Sequence, residues 1–275
     1  MQVTVERTDD PSRVLEAAGP FLASDPVAHN LILTLLHARV AQSEPGRYWI
    51  ATRGDHVVGV VFQSPLTFHA TATPMDADVA RAVAHGISDE GVELPGIDGE
   101  VATSAAFTGA WVERHRISAR PTLAQRIYEL GALVDHDAPG VLQLAKPEHA
   151  DFLVGCFTAF ADELGEPTLG IASGVDHRIG QGQLWVWIDG EPVSAAGLTQ
   201  PAERVVRIGP VYTPPAHRGR GYGSALVAGV SRSATTAGNR CVLYTDLENP
   251  TSNGIYRAIG YRAVSEGLRY RFTPE

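Results

Sequence analysis

Val211-Tyr-Thr-Pro214-Pro-Ala-His217-Arg218-Gly219-Arg220-Gly221-Tyr222-Gly223-Ser224-Ala-Leu-Val227 is the stretch whose reading decides the fold. Its apolar lead-in, from Arg204 to Thr213, reads as a β-strand. Pro214 and Pro215 then remove two backbone donors, so sheet pairing on that strand has to stop there. Gly219, Gly221 and Gly223 follow, and the chain passes straight into the apolar-periodic helix of Ala225, Leu226, Val227 and Val230. Glycines spaced this way let successive amide N–H groups converge on one point without Cβ obstruction. The unpaired N–H groups and the positive dipole end of the helix add to them. Arg218 and Arg220 can supply charge-assisted bonds to phosphate oxygens. The segment reads as a cradle for a diphosphate in preference to a flexible glycine linker, which would not abut a strand and a helix so tightly.

Two familiar diphosphate cradles do not fit. A nucleotide P-loop closes on Gly-Lys-Ser/Thr, and this loop has no lysine. A dinucleotide fingerprint needs glycine where Ser224 stands and follows the first strand of a βαβ unit, whereas this loop follows a hairpin and a further strand.

Upstream and downstream, the sequence repeats itself. In the first half, a strand at Val3 to Arg7 precedes helices from Asp10 to Ala18 and from Ser24 to about Val40, the second with Pro26 in its first turn. A hairpin at Arg47–Arg53 and Val57–Gln63 turns at Gly54-Asp55. A strand at Leu66–Ala72, a helix at Asp76–Ser88, a strand at Gly99–Ala102, a helix through Trp111 and a strand at Pro121–Leu133 complete it. In the second half come a strand at Val141–Leu144, a helix from Pro147 to Leu164 and a helical patch at Ser173–Ile179. A hairpin follows at Leu184–Ile188 and Glu191–Thr199, then the glycine-loop segment, a strand at Arg240–Asp246, a helix at Ser252–Ile259 and a closing strand at Leu268–Phe272. The hairpin turns lie about 135 positions apart, which points to a tandem duplication. The boundary falls near Asp135 to Pro139, giving domains 1–135 and 136–275.

Composition limits the function. The 275 residues carry a net charge of −9, which argues against a broad basic face for nucleic acid. No run of 18 apolar residues is present to span a membrane. Met1 to Asp10 is polar and acidic, unlike a signal peptide, so the expectation is a cytoplasmic protein. Cys156 and Cys241 are the only cysteines and cannot build a disulfide framework or a four-thiolate zinc site. Ten histidines are scattered without HExxH or His-x-His spacing, so no metal is expected. Lys146 is the only lysine, which is read as codon bias, so individual arginines are not read as chosen over lysine.

The loop and its surroundings resemble the GCN5-related N-acetyltransferase (GNAT) family. Arg218-Gly-Arg-Gly221-Tyr-Gly223 matches that family's acetyl-CoA loop, Gln/Arg-x-x-Gly-x-Gly/Ala. Asn249-Pro-Thr-Ser-Asn253-Gly-Ile-Tyr256-Arg-Ala-Ile-Gly260-Tyr261 resembles its Asn…Tyr…Gly-Phe/Tyr helix. The resemblance implies an α/β (α+β) fold of two tandem GNAT-like domains, each a mixed, mostly antiparallel twisted sheet flanked by helices. It implies acetyl-CoA as co-substrate. Cofactor contacts would come from Val211, Tyr212 and Thr213, from the loop Arg218, Gly219, Arg220, Gly221, Tyr222, Gly223 and Ser224, and from Asn249 and Asn253. Val211 and Thr213 would pair with the pantetheine amides as an added strand does, and Asn249 would bond the same arm. The Val211 N–H would stabilise the oxyanion, and Tyr256 would act as general acid toward the CoA sulfur.

The expected reaction moves an acetyl group to a primary amine of a small molecule or peptide. Two alternatives stay open: a CoA-binding regulatory or interaction protein without turnover, and an acyltransferase acting on a thiol precursor or peptidoglycan. Glu203, Asp246 and Glu248 are candidate bases by position. The first half has no glycine loop, and Val112 stands near the place of Tyr256, so it reads as a degenerate, structural copy. His217 beside the loop is a candidate phosphate neighbour or a solvent-facing residue. Trp185 and Trp187 share one strand face, as core or as an acceptor wall. Asp162, Glu163 and Glu166 are a possible acidic acceptor site or an exposed helix end. A monomer is expected over a homodimer, because a duplicated chain can mimic internally the dimer of single-domain relatives.

Overall fold

A computed structural model describes residues 2–165 and 168–274. The chain divides into two compact units, Met1–Ile127 with Asp246–Glu248 and Val264–Glu275, and Tyr128–Thr245 with Asn249–Ala263. The sequence repeat is present as structure. In the first half, β1 (Val3–Thr8), α1 (Pro11–Ser24), α2 (Asn30–Ala41), β2 (Arg47–Arg53), β3 (His56–Gln63) and β4 (Ala70–Ala72) lead to α3 (Ala77–Asp89), β5 (Gly96–Glu100), α4 (Val101–His115) and β6 (Ser118–Leu130). The second half runs in the same order: β7 (Val141–Leu144), α5 (Ala150–Leu164), α6 (Ile171–Gly180), β8 (Leu184–Asp189), β9 (Glu191–Leu198), β10 (Val205–Tyr212), α7 (Tyr222–Thr236), β11 (Arg240–Asp246), α8 (Pro250–Ile259) and β12 (Tyr261–Thr273).

The first unit orders its strands β1-β2-β3-β4-β5-β12-β6, with the C-terminal part of β12 inserted antiparallel to β5, Leu268 opposite Gly99 and Tyr270 opposite Ile97. The linear division at 135/136 expected from the sequence differs from this one. The end of the chain pairs with the first unit, and Tyr128–Leu130 at the end of β6 pack with the second. Trp49, Val83, Ile87, Ile97, Phe107 and Trp111 form the first unit's core, and Phe272 from β12 joins them.

In the second unit the order β11-β10-β9-β8-β7 is antiparallel except for the parallel pair β10–β11. The first unit has its parallel pair, β4–β5, at the same place in the repeat. Val206, Ile208, Cys241 and Leu243 pack under α7 through Leu226, Val227 and Val230. Leu184, Val186, Ala195 and Tyr212 pack on the other face with Leu153, Cys156 and Phe157 of α5 and Val175 of α6. That alternation of successive residues between faces is the period-2 rule of a strand covered on both sides.

Several elements differ from expectation. Pro26 lies in the turn between α1 and α2, where the Asp25 carboxylate accepts from the Ala28 N–H, and is not a helix start. The strand expected at Leu66–Ala72 is confined to Ala70–Ala72, because Leu66 and Phe68 give their carbonyls to the buried Gln63 amide. Pro147–His149 is a 3-10 turn ahead of α5. The closing strand is 13 residues long, well beyond Leu268–Phe272.

Candidate active site

The central feature is where two paired strands part. The β10–β11 ladder runs through Val205↔Arg240, Val206↔Cys241 and Arg207↔Val242 and ends at Ile208↔Leu243. β10 continues along β9, with Val211 opposite Ala196 and Tyr212 opposite Ala195, after a bulge between Ile208 and Val211. Gly209-Pro210 occupies the bulge. Beyond Ile208 the two strands are no longer paired, and the β10 edge that faced β11 is released from the ladder. Backbone groups on such an edge pair with an extended ligand as they would with a strand.

The expected cradle stands at the end of that edge. Pro215–His217 form a single 3-10 turn, and Gly219 and Gly221 both adopt left-handed backbone, φ +77° and +81°. Gly221 is the N-cap of α7, where the left-handed conformation favours glycine over any L side chain. No side chain caps α7, so the N–H groups of its first turn are left for a ligand. Gly223 brings that turn against the strand end: a Cβ there would sit 3.3 Å from the Thr213 hydroxyl oxygen. Thr213 is fixed in turn by Ser194, hydroxyl to hydroxyl at 2.8 Å. Loop residues 218–220 are exposed, while the Tyr222 and Ser224 side chains are buried. The Tyr222 hydroxyl donates to Asp189 in the β8–β9 turn, so Tyr222 offers the site only its backbone.

The two arginines of the loop differ. Arg220 is exposed. Arg218 folds back: its Nε donates to the Thr213 carbonyl at 2.9 Å and its Nη2 to Glu163 Oε1 at 2.9 Å. Its guanidinium carbon lies 5.3 Å from the Tyr212 ring centroid, and the Tyr212 hydroxyl donates to the same Glu163 oxygen at 2.9 Å. The Arg218 bond holds the Glu163 carboxyl below the usual carboxylate range, and burial with Glu163 beside it raises the Tyr212 phenol. Glu163 is thus tied to the loop. Asp162 is exposed beside it, and Glu166 lies outside the described residues.

α8 carries the remaining expected residues. The Asn249 side chain caps the helix, Oδ1 accepting from the Ser252 N–H at 3.0 Å. Asn253, expected among the cofactor-binding residues, is buried. Its Nδ2 donates to the Asn249 carbonyl at 2.7 Å, and its Oδ1 accepts from the Tyr128 hydroxyl at 2.9 Å. Tyr256 is 8% exposed, with the Tyr128 and Tyr261 rings at 6.4 and 6.2 Å. Burial pushes its phenol up to about 12, opposed by the Ser252 hydroxyl. Tyr128 was not singled out in the sequence because it ends a strand assigned to the first copy. Gly260 closes α8 at φ +105°, and a Cβ there would run into the Ala132 carbonyl.

Residues 192–270 match the family model described as FR47-like protein. No curated protein matches the chain. Among solved structures, a Drosophila protein superposes with TM-score 0.69 at 13% identity over 99% of each chain. A GNAT-family acetyltransferase from Colwellia psychrerythraea gives 0.62 at 12% identity, covering 99% of this chain and 100% of that one. A tandem GNAT protein from the clavulanic acid biosynthesis pathway gives 0.60 at 12%, covering 99% and 98%.

The chain has the GNAT fold.

The FR47-like match lies wholly in the second half of the chain, over the segment that holds the glycine loop and α8. The corresponding place in the first unit is built differently. β4 and β5 stay together past their Thr71↔Asp98 pair, and a Cβ at Gly99 would sit 3.3 Å from the Ala72 carbonyl oxygen. The Thr103 hydroxyl accepts from the Met75 N–H at 3.0 Å and donates to the Met75 carbonyl at 3.1 Å, closing the chain ahead of α3. The acid Asp76 stands at the N-cap of α3, where α7 has Gly221.

Other candidates are also placed. His217 Nε2 lies 3.9 Å from the Glu191 carboxylate. Trp185 and Trp187 pack in the core under α7, and Trp187 Nε1 donates to the Pro139 carbonyl at 2.7 Å. Glu203 is exposed in the tight turn with Arg204, and Asp246 and Glu248 fall in the first unit. No described helix is long and apolar enough to cross a membrane.

Proposed function

We propose that the second unit transfers the acetyl group of acetyl-CoA to a primary amine of a small molecule or peptide. One observation carries the reading: the β10–β11 ladder stops at Ile208↔Leu243, and the freed β10 edge leads into an uncapped helix entered through two left-handed glycines. A released strand edge suits the amides of a pantetheine arm, and the uncapped N-terminus suits a pyrophosphate. In this reading the backbone of Val211 and Thr213 pairs with the arm, and residues 218–224 hold the pyrophosphate. Asn249 lends the arm its amide nitrogen, its oxygen being used as the cap. Asn253 acts one step removed, fixing Asn249 and Tyr128.

The neutral amine attacks the thioester carbonyl. A C–N bond forms, the C–S bond breaks, the amine loses one proton and the sulfur gains one. The Val211 N–H stabilises the oxyanion. With its phenol near 12, Tyr256 stays protonated and serves the leaving sulfur first as a hydrogen-bond donor. Full proton transfer requires a thiolate as strongly desolvated as the phenol. This protein shows what such burial does to thiols, since Cys156 and Cys241 are also pushed up to about 12. The first unit is read as a copy without CoA binding, its parallel strands held together and an acid placed where phosphate would sit.

Release of free thiol from acetyl-CoA, followed with a panel of primary amines, tests the proposal. Amine-dependent release supports it. Saturable acetyl-CoA binding with no release for any amine would favour a regulatory CoA-binding protein instead.

A further inference from the structure

Arg178 of α6 and Arg207 of β10 lie together on the α5–α6 face of the second unit's sheet. Val206 and Ile208 pack under α7, so Arg207 projects from the opposite face, where its guanidinium carbon is 5.4 Å from the Tyr244 ring centroid. Arg178 lies flat across β9 where that strand has no side chain: a Cβ at Gly197 would collide with its guanidinium. Its Nη2 donates at 3.4 Å to the carbonyl of Gly209, the bulge residue two positions before Val211, which pairs with Ala196.

Among the described residues, no carboxylate forms an ion pair with either arginine. Arg207 Nη1 is buried without a hydrogen-bond partner among the described residues. Burial, and then repulsion from Arg207, pushes Arg178 down to about 10. Two like charges brought together at a half-buried site, one with an orphaned donor, raise the free energy of the fold unless an anion meets them. Guanidinium forks match the planar oxygens of a carboxylate, and equally a phosphate, two bonds at a time.

We propose that Arg178 and Arg207 form an oxyanion-recognition subsite, and that the amine acceptor carries a carboxylate or phosphate group. This rests on the acetyl-transfer reading and narrows it. An acceptor held here by its anion lies beside the β10 bulge, with its amine free to reach the acetyl carbonyl at Val211. The site selects for a zwitterionic or anionic amine and against a simple cationic one, the reverse of the acidic acceptor site that Asp162 and Glu163 suggested in the sequence.

Matched amines test it: L-phenylalanine against 2-phenylethylamine, and O-phosphoethanolamine against ethanolamine. The anionic member of at least one pair should have a kcat/KM about 10–100-fold higher, the worth of a charge-assisted bond. The favoured pair tells carboxylate from phosphate. Arg207→Gln should remove most of that preference while leaving the KM for acetyl-CoA unchanged. Arg207→Lys, which keeps the charge, should restore part of it and keep the protein folded if the Gln variant is unstable. No preference in either pair, or one unchanged in Arg207→Gln, overturns the subsite. Failure of acetyl transfer itself reads differently, as no thiol release with any amine. In that case the melting temperature in phenylacetate or phosphate against chloride at equal ionic strength decides. A rise of about 2–4 °C in the parent protein that is absent in Arg207→Gln supports the subsite, and no rise overturns it.

Discussion

Arg218 and Glu163 meet at 2.9 Å, tying the first residue of the glycine loop to the C-terminal end of α5 across 55 positions of sequence. Both side chains are about half exposed, 50% and 53%, so the ion pair by itself contributes little to stability. Its effect is positional. The same guanidinium holds the Thr213 carbonyl, and the same carboxylate oxygen accepts from Tyr212, so strand end, loop and helix end are fixed as one unit. Glu163→Ala and Arg218→Ala should each weaken acetyl-CoA binding by about 2–10-fold, and the double variant should be little worse than either single one. A double-mutant cycle by calorimetry checks this, and additive losses would show that the two residues act separately.

Tyr256→Phe should lower kcat by about 10–10³, at or below the usual contribution of a general acid, with acetyl-CoA affinity unchanged. In the parent enzyme, the alkaline limb of kcat due to Tyr256 should lie well above pH 10, because burial holds the phenol near 12. Steady-state kinetics from pH 7 to 10.5 measure both. Equal turnover in the Phe variant at saturating substrates would remove Tyr256 from the chemistry.

Gly260→Ala should destabilise the protein by about 1–3 kcal/mol, since the position combines φ +105° with a carbonyl in the way of any Cβ. The Gly260 carbonyl also accepts from the Gly131 N–H at 3.0 Å, so a shift there disturbs the segment after β6. Urea denaturation reads the change. A midpoint equal to that of the parent would mean the backbone relaxes without cost.

Stability should fall on the alkaline side from about pH 9. The Cys156 and Cys241 thiols are pushed up from 9.0 to about 12 by burial. Below pH 9 folded and unfolded chains both keep these protons, so stability is unaffected. Between about 9 and 12 the unfolded chain releases protons that the folded chain retains, costing about 1.4 kcal/mol per pH unit for each thiol. Replacing both with alanine should flatten that slope in urea midpoints between pH 8.5 and 10.5, whatever it does to stability at pH 7. An unchanged slope would assign the loss to other groups.

The parts legible in the sequence were those fixed by local chemistry. Gly54-Asp55 and Asp189-Gly190 mark their hairpins, and Val141–Leu144 and Arg240–Asp246 form strands over the ranges read from apolar residues. The glycine loop announced the turn into α7. What escaped depends on distant partners. Arg262, Ala263, Ser265 and Glu266 give no apolar alternation, so the first half of β12 could not be seen, nor could the pairing of its end with Gly96–Glu100. Tyr128 meets Asn253, 125 positions away, only because β6 carries its last residues into the second unit. Arg218 read as a phosphate ligand from its neighbours in the loop, whereas its partner Glu163 belongs to α5. Arg178 and Arg207 carried no local mark at all.

Calorimetric titration of acetyl-CoA into the intact protein and into Gly221→Glu tests the central claim most directly. The substitution places an acid and a strained φ of +81° at the helix entrance, where a Cβ meets nothing closer than 3.6 Å, so the variant should stay folded. The expected result is one saturable site per chain in the parent protein and no measurable heat in a variant that still melts cooperatively, at a temperature lowered by the backbone strain. No heat from the parent protein, or the same isotherm from both, would contradict it.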